Sequence, residues 1–146
     1  MEFIHIVQRD GYADGKQIGW LATYNIMRER DHCAILCTKR DSTGPMDKGR
    51  WAAFDRTVDP NDYRALTSAI LEETCEVVSN NLQAVDPLSY QSTYFISGNP
   101  EGRSVCLTVE HACLALKEHL PRPKILTEIR NFLLKYGESS VAHPGS

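Results

Sequence analysis

The side chains of widest chemical reach in this chain of 146 residues are five cysteines and five histidines, and their spacing decides what they could do together. A tetrahedral zinc site with sulfurs about 2.3 Å from the metal holds those sulfurs roughly 4 Å apart. Cys33 and Cys37 on a strand stand roughly 13 Å apart, and Cys106 and Cys113 on a helix about 10 Å apart along its axis. His111 and Cys113 point to different sides of a helix, and no C-x-x-C pair occurs. Only a helical 33–37 would bring Cys33 and Cys37 together. The expectation is no metal and no cofactor.

Thiol catalysis asks for a cysteine activated by a neighbouring histidine or a helix N-terminus. His32 and Cys33 are adjacent, but neighbours on a strand face opposite ways. His5 could approach Cys33 or Cys37 across a sheet. Most of the cysteines lie inside apolar runs and read as small buried hydrophobes. Gly44 to Trp51 has the glycine spacing of a phosphate loop without its Lys-Ser/Thr, and Pro45 removes an amide that would cradle phosphate. It reads as a hairpin loop with basic flanks, Lys39, Arg40, Lys48 and Arg50. No G-x-S-x-G and no H-E-x-x-H occurs.

Two surfaces are left as candidates. Glu72, Glu73 and Glu76 would stand on the outward side of a helix, where exposed carboxylates keep ordinary acidity and suit a basic protein partner. His5, Trp20, Tyr24, Trp51 and Tyr94 could instead line a small-molecule pocket between sheet and helices, with His5 or a cysteine supplying polarity.

Composition narrows the classes. Hydrophobic residues make up 42% and charged residues 24%, which is the balance of a folded domain rather than a disordered one. A formal charge of −3 disfavours nucleic acid as the main partner, since neutralising phosphates calls for a basic excess. Apolar runs reach only about five residues, far short of the ~20 that span a bilayer. The start Met1-Glu2-Phe3-Ile4-His5 lacks the pattern of a signal peptide, so a cytoplasmic protein is expected, monomer or homodimer.

The elements that must position these residues change period near Asp59-Pro60. Before it, apolar residues fall in strand-length runs: 2–9, 17–27, 32–39 and 51–58. Cys33, Ile35 and Cys37 would share one face of a strand, Ala34 and Leu36 the other. Residues 17–39 read as a hairpin broken at Arg28 to Asp31, with a single helix as the alternative. After the change, Asp59 can cap and Pro60 open a helix running to about Asn80, with Tyr63, Leu66, Ile70, Leu71, Cys75, Val78 and Leu82 inward. Tyr90 to Ser97 reads as a fifth strand. Residues 106–120 read as a helix, or as a strand over 105–109 followed by a shorter helix. Lys124 to Tyr136 reads as the last helix, ended by Gly137. Strands followed by helices predict a single α+β domain over 1–137: a mainly antiparallel sheet of about five strands from the N-terminal half, two to three helices on one face, and a loose tail over 138–146. The function this supports is a non-enzymatic binding protein of inhibitor, immunity or adaptor type with an acidic contact surface. A ligand-binding or thiol-dependent enzymatic domain is the alternative.

Overall fold

The structure, a computed structural model, describes residues 1–12, 18–41, 50–79, 90–112 and 124–137. Seven strands form one sheet in the order β4-β3-β2-β1-β6-β7-β5. The first four are β1 (Glu2–Tyr12), β2 (Ile18–Glu29), β3 (His32–Asp41) and β4 (Arg50–Val58). They form an antiparallel meander. The alternation that suggested strands also sets the faces: Ile4 and Ile6 are fully buried while Phe3, beside Ile4 on β1, is exposed.

Residues 18–41 are the hairpin and not the helix. Glu29 pairs with His32 across a two-residue turn, and Arg30 takes φ 56, the positive angle such tight turns require. Arg28 steadies it by donating from Nε to the Arg30 carbonyl at 3.2 Å.

Helix α1 (Pro60–Glu72) starts where Asp59 and Pro60 predict, with the Asp59 carboxylate accepting the Asn61 amide at 2.8 Å. It ends eight residues before the expected Asn80. Glu73 turns to extended backbone (ψ 126), and its carboxylate accepts the Thr74 and Cys75 amides at 3.1 Å each. The chain then enters β5 (Val77–Ser79), which pairs parallel with β7. Two adjacent β-branched residues stay legible as either element until a neighbouring strand supplies backbone partners.

β6 (Tyr90–Gly98) lies against β1, and a single 3₁₀ turn, Pro100–Gly102, leads to β7 (Val105–Ala112). Of the two readings from Cys106, the strand over 105–109 is the one found, extended to Ala112; residues 113–123 lie outside the described residues, as does the expected tail over 138–146. Gly98 is needed here: at φ 147 it lies so near β1 that a Cβ would fall onto the Phe3 carbonyl. Asn99 then continues the pairing, donating its amide to Phe3 O and accepting the Phe3 amide on Oδ1, both at 2.9 Å.

Helix α2 (Lys124–Tyr136) forms as predicted, and the Gly137 amide closes it on the Leu133 carbonyl at 2.7 Å. The two helices run antiparallel, since Asp62 at the start of α1 meets Lys135 at the end of α2 and Glu72 at the end of α1 meets Lys124 at the start of α2. Both pack on the face carrying Ile4, Ile6, Tyr24, Ile26, Ile35 and Ile96, adding Tyr63, Leu66, Ile70, Ile125, Ile129 and Leu133 to one core. The domain is thus α+β, with six antiparallel strands and one short parallel strand where about five were expected. Three of the seven come from the C-terminal half.

Candidate functional site

Both described helices cover one face of the sheet, and the other face carries neither of them. Register fixes what stands on it. Met27 on β2 pairs with Ala34 on β3 and with Phe3 on β1. In the next row Asp55, Leu36, Asn25, His5, Ser97 and Cys106 follow one another from β4 to β7. The row beyond holds Ala53, Thr38, Thr23, Val7, Phe95 and Thr108. Phe3, Leu36 and Phe95 are 44%, 42% and 43% exposed, and these rings and branches would be buried in an ordinary core.

At the middle of this face the His5 Nδ1 and Asn25 Oδ1 lie 2.6 Å apart, each side chain half-buried. Contact with the amide oxygen makes Nδ1 the donor. The remaining ring nitrogen and the Asn25 amide group are hydrogen-bonding groups among apolar neighbours. Charge stays at the margins: Glu29 and His32 at the hairpin end, Arg9 and Glu110 at the opposite end, and Asp55 on the outer strand. The interior of the face thus mixes apolar Phe3, Met27, Val7, Leu36 and Phe95 with the uncharged polar groups of Asn25, Ser97 and the threonines, and charge is confined to its margins.

The residues expected to form a site are dispersed. Tyr24 and Tyr94 are buried on the helix-covered face, where the Tyr24 hydroxyl donates to Gln8 Oε1 at 2.8 Å. His5 lies on the opposite face, so it does not line a pocket with them. Trp20 and Trp51 belong to β2 and β4, and their side chains lie outside the described residues.

The acidic trio is not a helix face. Glu72 is the last residue of α1 and pairs with Lys124 at 2.8 Å, which holds the lysine above its ordinary pKa. Glu73 is the C-cap, and Glu76 sits in the bend before β5, its carbonyl accepting the Thr108 amide at 2.8 Å. Early helix termination is the reason: three acids that an ideal helix would align are spread over a cap and a bend. Glu73 and Glu76 do share a groove of about 210 Å³ with Cys75, Arg103 and Cys106. That is smaller than the ~300–1,000 Å³ usual for ligand pockets.

The cysteines divide. Cys33 and Cys37 are buried, and burial pushes the Cys33 thiol up despite the opposing charge of Arg28. Cys37 Sγ lies 3.9 Å from the Gly137 carbonyl. Cys75 and Cys106 are exposed, contrary to the expected burial of the apolar runs around them. Among the described residues no group of three or more His, Cys, Asp or Glu is placed to hold a metal ion. Of the basic loop flanks, Lys39 lies 6.0 Å from the centre of the Phe54 ring, Lys48 lies outside the described residues, and so do the side chains of Arg40 and Arg50. No helix among the described residues is long and apolar enough to cross a membrane.

No known protein family, no curated protein and no solved structure matches this chain.

Sequence reasoning missed Phe3, Leu36 and Phe95 as surface residues. The signal was present in the apolar residues on both sides of β3, but it reads equally well as a strand buried on both faces.

Proposed function

We propose that this chain is a binding domain that meets another protein through the open face of its sheet. The observation that carries the reading is the exposure of Phe3, Leu36 and Phe95 around the His5–Asn25 pair, on a face whose charges stand at its rim. Exposed apolar side chains gathered on one face cost a free protein solubility, and that cost is offset when a partner covers them. The binding role expected from composition is kept, and the surface moves. Glu72 and Glu73 are already engaged, by a lysine and by backbone amides, which leaves the acidic trio less charge to offer.

A photoreactive amino acid placed at Leu36 or Phe95, with a control at exposed Thr127 on α2, tests the reading. The expected result is a discrete heavier adduct from the two sheet positions and none from Thr127. Equal labelling from all three, or an adduct from Thr127 alone, refutes it.

A further inference from the structure

The geometry points to a second copy of this chain as the occupant of the open face, an inference that rests on the binding reading above. Six long strands, β4-β3-β2-β1-β6-β7, carry that face, and their centre line falls between β2 and β1. The His5–Asn25 contact lies on this line. A two-fold axis running along it, between two facing sheets, lays β2 over β1, β3 over β6 and β4 over β7, so the sheets overlap edge to edge.

The residues that meet under this operation are compatible. His5 and Asn25 come over the second copy's Asn25 and His5, setting donors and acceptors against each other. Phe3 comes over the second copy's Met27. Leu36 is carried to β6, one same-face step of about 7 Å from Phe95 and within reach of a leucyl and a phenyl side chain. Asp55 comes over β7 in the row of Cys106, two such steps, or about 14 Å, from Glu110, beyond a Debye length of about 10 Å. The four exposed or half-buried apolar groups Phe3, Met27, Leu36 and Phe95 therefore find apolar or uncharged neighbours, and the acids do not oppose.

The area is sufficient. Six strands about 4.8 Å apart and about eight residues long at about 3.4 Å each span on the order of 800 Å². One partner in a standard stable interface contributes about 800 Å². A fully overlapped pair of these faces therefore has the area of a stable dimer.

Sedimentation equilibrium on the full chain, beside Leu36→Asp, Phe95→Glu and a Thr127→Asp control, tests this. The expected result is a species of twice 16.4 kDa for the unaltered chain and the control, with self-affinity at least about tenfold weaker in both sheet-face variants. Each variant's thermal transition shows whether it folds, and either one suffices. A mass of one chain at about 100 µM, a hundredfold above a micromolar Kd, overturns the second copy. So does a dimer indifferent to both folded variants. If the chain is monomeric and the Leu36 photoadduct has gained a mass other than one chain, the second copy is wrong and the binding reading stands. If the chain is monomeric and no adduct is specific to the sheet positions, both fall.

Discussion

The two faces of the sheet are made by the same strands from alternating residues, yet they differ in kind. On the covered face Ile4, Ile6, Ile26 and Ile35 are completely buried, and the hydrogen bond from Tyr24 to Gln8 is buried too. On the open face the corresponding contact, His5 to Asn25, is half-buried and its apolar neighbours keep close to half their surface in water. Burial of the first set supplies the folding free energy, at roughly 25 cal/mol per Å² of apolar surface removed from water. The second set keeps more of its surface in water and adds less to folding, and the proposed contact surface rests on it.

This contrast can be broken at the thiols first. Cys33 and Cys37 on the covered face react only when the domain opens, so alkylation in native conditions should be about a thousandfold slower than at exposed Cys75 and Cys106. Peptide mapping after timed labelling reads this, and comparable rates would mean the covered face is loosely held. Next in size is a pair of neighbours. Ile35→Ala should cost about 2–5 kcal/mol in urea unfolding. Leu36→Ala, one residue along and on the other face, should stay within about 0.5 kcal/mol when measured below the concentration at which copies associate. Similar values for the two would abolish the distinction between the faces.

A smaller effect separates the two polar pairs. Tyr24→Phe removes a buried hydroxyl that donates to Gln8 and should cost about 1 kcal/mol, whereas His5→Ala should leave the urea midpoint nearly unchanged. The smallest effect belongs to the helix layer. Lys135, and after it the Tyr136 hydroxyl, donate hydrogen bonds to Asp62 and hold its carboxyl below the usual aspartate range. A folded-state pKa below the unfolded one stabilises above the unfolded value of about 3.9, and that stability is lost as pH falls through the folded value. Asp62→Asn should therefore flatten the acid limb of the stability-against-pH curve, read from urea midpoints at successive pH values.

Much of the fold was legible in the residues. The alternation of β1 and β3, the break at Arg28 to Asp31, the Asp59-Pro60 helix start and the Gly137 stop all rest on local chemistry, and each lies where it was expected. Residues 73–79 were misread as helical, and 105–109 were left open between helix and strand, for one shared reason. Val77, Val78, Val105 and Val109 form β5 and β7 by pairing with each other's strand and with β6, and no local spacing encodes a partner thirty residues away. The candidate site was less legible. His5 was grouped with Tyr24 and Tyr94, which register puts on the opposite face.

By itself the sequence determined the class of the domain, the positions of its first four strands, the start of α1 and the span of α2, and which residues in each strand share a face. Those follow from period, capping and turn chemistry, which act over a few residues. Only the tertiary structure decided which face the helices cover. Both faces of the meander carry apolar residues, and local pattern cannot rank them. That choice made Ile35 core and left Leu36 in water, because α1 and α2 bury their apolar stripes against one side of the sheet only.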